Sequence, residues 1–249
     1  MITSDKRPSD QHRLAVPAKE RPYAQWQCTR VYPTSQPRQW RVISVYASRT
    51  RQKVKRAAPG GEGLVIDHFD RQAVAHYLNR FTQAFEYTKT PYPHTFFNDS
   101  YEVYKANWTP SLFDEFLKRR GYDLRDHLPE LLDGGDGNKA LHDYRETLSD
   151  LLYENFTQQW VAWAHRNGVS VRNQAHGSPA NLLDLYAAVD IPEIEGFGRS
   201  EFGIRGLRRD PGMTLKNYSD VSMLKYASSA AHVMGKPLTS SETLTWLTE

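Results

Sequence analysis

Short apolar runs that finish in polar residues alternate with longer stretches of helical period along most of this chain. Val42 to Ala47 (VISVYA) is a near-continuous apolar run of the kind found in strands buried on both faces. Asp67 is placed to cap a helix carrying Val74, Tyr77, Leu78, Phe81 and Phe85 on one side. Phe96 and Phe97 open a second strand, which ends in Asn98, Asp99, Ser100, Tyr101 and Glu102, residue types a strand interior would not choose. The next helix has both ends marked. Thr109 is placed to cap it, Pro110 takes the first position, and Asp114 and Glu115 face its positive end. Lys118, Arg119 and Arg120 complement the negative end, and Gly121 supplies the left-handed stop. Leu141, Tyr144, Leu148, Leu151, Leu152, Phe156, Trp160 and Trp163 then predict one helix over Leu141 to Asn167, ended by Gly168. Val169 to Gln174 is a strand finishing in Arg172, Asn173 and Gln174, ahead of His176 and Gly177. A short helix over Asn181 to Ala188, a strand over Val189 to Glu195, a helix from Ser219 or Asp220 to Gly235, and a strand over Pro237 to Glu242 complete the series.

Strand and helix thus alternate five times, and most of the strands end in groups suited to a site. This order predicts an α/β fold with a parallel sheet and a site at one sheet edge. Loading of successive strand ends favours a TIM-barrel-like (β/α)8 architecture, incomplete here because about five β/α units are visible. A doubly wound open sheet also fits the order, but it concentrates binding at one switch point. Residues 1–39 hold Pro8, Pro17, Pro22, Pro33 and Pro37 without periodicity and predict an irregular segment, which leaves 40–249 as a partial barrel domain.

Composition narrows the class of partner. The net charge of +3 comes from 32 basic and 29 acidic residues, too balanced to call for nucleic acid or an anionic membrane. The basic stretch from Arg49 to Arg56 could meet phosphate, but a solvated loop after a strand explains it as well. Cys28, the single cysteine, excludes an internal disulfide framework and a cysteine-based zinc site. No apolar run of membrane-spanning length and no signal-peptide core is visible. Gly134 to Asn138 is a turn cluster without the lysine and hydroxyl of a phosphate loop. The GFGRSEFG segment lacks the third glycine of a dinucleotide fingerprint, and no G-x-S-x-G elbow is present. His68, His76, His94, His142 and His165 are scattered without metal-ligand spacing.

Four runs in order, KRAAPGGEGLVIDHFD, FFNDSYEVYKANWTPSLFDEFLKRRGYDL, RNQAHGSPANLLDLYAAVDIPEIE and KYASSAAHVMGKPLTSSETLTW, resemble the catalytic barrel of the family 106 glycoside hydrolases, the α-L-rhamnosidases. The resemblance extends from about Trp40 to Trp246. It implies inverting hydrolysis of a terminal α-linked L-rhamnose, on a rhamnose-containing glycan or glycoside. Full-length relatives are expected in the periplasm or outside the cell, with the remainder of the barrel as a further partner of this segment.

Inverting hydrolysis needs a protonated carboxyl at the leaving oxygen and a carboxylate that activates water on the opposite face, with about 6.5–9.5 Å between them. By match to the family's DSYE-like and SSET-like motifs, Glu102 is carried over as the base and Glu242 as the acid, with Asp99 in support. Glu193 and Glu195 have the same parity on a strand and suit sugar hydroxyls or a hard cation such as Ca²⁺. Arg172, Gln174 and His176 are further substrate-binding candidates, as is Trp246, with Trp108 as a second ring that could stack on a sugar. Two functions stay open: an inverting α-L-rhamnosidase, and a catalytically inactive carbohydrate-binding fragment of one.

Overall fold

A computed structural model of the protein describes residues 24–55, 57–135, 137–195 and 221–242. The chain divides into two units, one formed by residues up to Ala73 with Val103–Leu152, the other by Val74–Glu102 with the chain from Tyr153 onward.

In the first unit, β1 (Ala24–Pro33) and β2 (Trp40–Ser48) form an antiparallel hairpin with a bulge between Trp26 and Cys28. The irregular segment expected up to residue 39 is therefore a strand over Ala24–Pro33. Its threonine, valine and aromatic content outweighs the neighbouring prolines. Nor is β2 buried on both faces: Ile43 and Val45 are buried while Val42 is 61% exposed. Its alternation is that of a half-buried hairpin strand, not of the first strand of a parallel sheet.

The second unit opens on α1 (Arg71–Thr88), which Asp70, not Asp67, caps; its carboxylate accepts from the Gln72 N–H at 2.8 Å. Asp67 instead closes a turn on the Phe69 N–H. Next comes β3 (Thr95–Asn98). The chain then returns to the first unit with α2 (Leu112–Arg120), a 3-10 turn (Leu124–His127), α3 (Leu128–Asp133) and α4 (Lys139–Leu151). Gly121 stops α2 in the left-handed conformation with φ 78°, as its position implies. The start differs from expectation: Ser111 precedes α2 without a side-chain cap, and Thr109 contributes its carbonyl to the Leu112 N–H. Leu112, Phe116, Leu124, Leu128 and Leu151, all fully enclosed, form the core of this unit.

The long helix expected over Leu141 to Asn167 runs through, with a change of helix type inside it. Capped by Asn138, α4 gives way to a π-helical turn over Leu152–Thr157 before α5 (Gln158–Arg166). A π turn keeps the apolar period running while rotating the face that is buried, so periodicity alone does not reveal it.

In the second unit, β4 (Ser170–Gln174), α6 (Leu182–Ala187), β5 (Ile191–Glu195), α7 (Val221–Val233) and β6 (Ser240–Glu242) follow. Strands β3, β4, β5 and β6 lie side by side in that order, all parallel. Four parallel strands replace the five expected, because VISVYA belongs to the hairpin. Val171 and Ile194 are buried in the sheet, Ala227, Ala230 and Ala231 of α7 pack against β5, and Trp163 of α5 lies 5.0 Å from the ring of Phe96. Among the described residues no helix is long and apolar enough to cross a membrane. Trp246, the Gly196 to Gly212 loop and the Ser219 or Asp220 cap lie outside the described residues.

Candidate active site

Parallel pairing aligns the carboxyl ends of the four strands and makes neighbours of residues far apart in sequence. Gln174 stands beside Glu193, and Glu195 beside Glu242. Strands running the same way through a buried sheet end together, so a polar residue at each end joins a shared cluster.

Gln174 holds that cluster together. It is 1% exposed, and its amide nitrogen donates to Glu193 Oε1 at 2.9 Å and to Glu242 Oε2 at 2.6 Å. Both partners are acceptors, which fixes the amide orientation and leaves Oε1 pointing elsewhere. That oxygen is buried without a hydrogen-bond partner. Glu193 is 3% exposed, and Arg172 Nε lies 3.1 Å from its Oε2 as an ion pair whose N–H is not aimed along the contact. The Arg172 guanidinium is also stacked over the Phe97 ring at 4.2 Å. A carboxylate this enclosed persists only with compensation, and here a guanidinium and an amide supply it.

His176 brings in the remaining acids. Its Nε2 lies 3.2 Å from Glu195 Oε2. Burial pulls the imidazole below its ordinary range, opposed by the fields of Asp99, Glu242, Glu102 and Glu193, which raise it. Four carboxylates from three strand ends therefore act on one buried ring. In its neutral state this ring donates from Nε2 to Glu195.

The loop bearing Asp99 and Glu102 is fastened to the loop after β4. Tyr101 N–H donates to the His176 carbonyl at 3.1 Å. Gly177 adopts φ +82°, and a Cβ there would stand 2.4 Å from the Tyr101 carbonyl oxygen. Only glycine permits both the conformation and the approach. Asn98 Nδ2 donates to Asn173 Oδ1 at 2.7 Å one step earlier on the same pair of strands. Asp99 is exposed and accepts from the Ser100 N–H, while Glu102 and Glu242 are half-buried.

Of the candidates named from sequence, Glu102, Glu242, Asp99, Glu193, Glu195, Arg172, Gln174 and His176 all belong to this cluster. Trp108 does not; it lies in the first unit, edge-on to Phe113. Sequence reasoning did not single out Gly177 or Tyr186. The Tyr186 hydroxyl is fully buried near the backbone N–H groups of Ala175 and His176, and burial pushes it up to about 12. The glycine's signal is its place straight after a polar strand end; the tyrosine has none, being one more apolar position of a short helix.

Comparison with known proteins identifies the family. The profile of the alpha-L-rhamnosidase family, glycoside hydrolase family 106, matches residues 29–249. The solved rhamnosidase of Novosphingobium sp. PP1Y is similar at 29% identity with a TM-score of 0.65, over 82% of this chain and 20% of that one. A Formosa agariphila protein named "Putative beta-glucuronidase" is 28% identical over 216 residues, 83% of this chain and 17% of its own length. The chain thus spans about a fifth of the length of these relatives. With the profile matched across most of its residues, the chain belongs to the alpha-L-rhamnosidase family of glycoside hydrolases.

Proposed function

We propose that this chain carries the acid and base carboxylates of an inverting α-L-rhamnosidase that removes terminal α-linked L-rhamnose from a glycan or glycoside. The observation that carries the reading is the convergence of Glu102, Glu193, Glu195 and Glu242 on the Gln174 and His176 pair. Glu242 is the acid: its proton passes to the glycosidic oxygen as the bond from that oxygen to the anomeric carbon breaks. Glu102 is the base, taking a proton from the water that attacks the anomeric carbon on the opposite face, with Asp99 supporting it.

Glu193 is not the partner of Glu242 across the sugar. Two acceptors of one amide nitrogen, at 2.9 and 2.6 Å, stand closer together than the roughly 6.5–9.5 Å of an inverting pair. Its role is to hold Gln174, which in turn orients Glu242, and to pair with Arg172. Arg172, His176 and Glu195 are suited to sugar hydroxyls, and Trp246 to the sugar face.

For the Ca²⁺ expected from sequence, Glu193, Glu195 and Glu242 would supply hard oxygens, but among the described residues these three do not gather their carboxylate oxygens around one point.

Release of nitrophenol from nitrophenyl α-L-rhamnoside tests the reading, with the anomer first formed followed by NMR. Glu242→Gln and Glu102→Gln are each expected to lower kcat by about 10²–10⁴-fold, and the initial product is the inverted anomer. Unchanged hydrolysis by Glu242→Gln overturns the assignment. Nitrophenyl β-glucuronide serves as the control, given the name of the Formosa relative; preferential cleavage of that substrate overturns the rhamnoside specificity.

A further inference from the structure

The first unit contains a cavity of about 500 Å³, within the size range of small-molecule sites and formed without any residue of the carboxylate cluster. Besides Gln25 of β1, three stretches line it: the end of β2 with the basic segment after it, residues 64–67, and the segment from Val103 to Pro110. Tyr104 N–H donates to Gln52 Oε1 at 2.8 Å and ties the first of these to the last.

Three observations point to a ligand. Arg49, Arg51 and Lys105 line the cavity against one acid among the described lining residues, Asp67, whose carboxyl burial pushes up. The cavity is thus rich in positive charge in a protein whose charges otherwise nearly balance. Next, the Asn107 side-chain oxygen and the Trp108 indole N–H, an acceptor and a donor in adjacent positions, are both buried without a partner. A buried polar group left unpaired is costly unless something else meets it. Finally, Arg51 at φ 57° and Lys105 at φ 63° adopt the left-handed conformation, and they are two of the four non-glycine residues among the described ones that do. Strain of this kind collects where a fold presents side chains to a ligand.

We propose that this cavity binds an anionic pyranose residue, a uronate or a sulfated sugar. Arg49, Arg51 and Lys105 meet its charge, with Asn107 and Trp108 in the wall beside it. That the ligand is a sugar rests on the glycosidase reading; that it is anionic rests on the lining. Guanidinium and ammonium groups suit carboxylate and sulfate oxygens. Indole rings offer an apolar face to a pyranose and an N–H at the edge. The basic stretch, ambiguous in the sequence between a solvated loop and a phosphate contact, becomes one wall of a saccharide site.

Calorimetric titration of the protein with methyl β-D-glucuronide, methyl glucoside 6-sulfate, neutral methyl glucoside and sodium sulfate tests this. At least one anionic glycoside is expected to bind roughly tenfold or more tightly than the neutral one, and to weaken between about 0.05 M and about 0.5 M salt. Arg51→Gly and Lys105→Gly keep the fold, because glycine accepts the left-handed backbone, and each is expected to weaken binding by roughly tenfold or more. Binding of the glucuronide alone assigns a carboxylate ligand, and binding of the 6-sulfate alone a sulfate ester; either supports the proposal. Equal affinity for charged and neutral glycosides overturns it, as does no binding of either anion, sulfate ion binding as well as the glycosides, or wild-type affinity in both glycine variants. Glu242→Gln retains glucuronide binding while losing rhamnoside hydrolysis, so the two readings fail separately.

Discussion

Replacing Gly177 with alanine is the smallest perturbation that tests whether the strand-end cluster is one device. Two costs follow from its geometry. A non-glycine residue at φ +82° pays about 1–2 kcal/mol for the left-handed backbone. The added Cβ would also meet the Tyr101 carbonyl oxygen at 2.4 Å, about an ångström short of ordinary contact. Tyr101 is main chain held by its own N–H to the His176 carbonyl, so it has no flexible end to swing aside. Relief requires the loop itself to move by about 1 Å, and Glu102 is the next residue along it. Misplacement of a reacting group by about 1 Å can cost about 10²-fold in rate.

Gly177→Ala is therefore expected to lower kcat for nitrophenyl α-L-rhamnoside by about 10²-fold, with rhamnose binding less affected and a stability loss of about 2–3 kcal/mol in denaturant unfolding. The thermal midpoint separates loss of fold from loss of geometry, since the variant should still unfold cooperatively above assay temperature. Wild-type kcat in a folded Gly177→Ala protein would show that the Tyr101 segment does not position a catalytic group. The assignment of Glu102 would then fall with it.

Three further outcomes follow from the same structure. Gln174→Met keeps the side-chain length but removes the donor shared by Glu193 and Glu242; two charge-assisted bonds at about 1.5–3 kcal/mol each predict a stability loss of about 3–6 kcal/mol and a sharp fall in kcat, and an unchanged urea midpoint would refute the bridge. Burial pulls His68 down to about 4, so its unfolded form takes a proton first as pH falls below its ordinary value. Stability present above about pH 6.5 is thus lost towards about pH 4, by up to about 3 kcal/mol, and His68→Gln should flatten urea midpoints measured across that window. Arg120, only 14% exposed, reaches Glu146 at 3.0 Å, Asp150 and the Thr147 hydroxyl; Arg120→Met is expected to lower stability by about 2–4 kcal/mol, whereas a change under about 0.5 kcal/mol would show that the network is no more than surface pairing.

Local chemistry in the sequence carried the parts of the fold that depend on single residues. Gly121, Gly168 and Gly235 take the positive φ that a helix stop requires, and Asn181 caps α6 through the Leu183 N–H at 3.1 Å. The polar strand ends pointed to the cluster for a related reason: in a parallel buried sheet, a carboxylate at a strand end has few places to go except among the ends of its neighbours. What the sequence hid was pairing and phase. VISVYA is apolar enough for a central strand, but its partner β1 lies in a stretch whose prolines obscure its strand character, and nothing local says which sheet a strand joins. Helical period runs through Leu152–Thr157 in the sequence, and nothing local marks the change to a π turn there.

The same distinction explains why Gln174 counted only as one of several donors until the strands were in register. A glutamine that ends a strand carries no mark of its partners. Its meaning arises when β5 and β6 bring Glu193 and Glu242 to the same nitrogen, leaving its oxygen buried without a partner. Residue types at strand ends thus announce that chemistry is present, whereas strand order decides which groups share it. Glu193 and Glu242 are separated from the amide between them by 19 and 68 positions in sequence and by single hydrogen bonds in space.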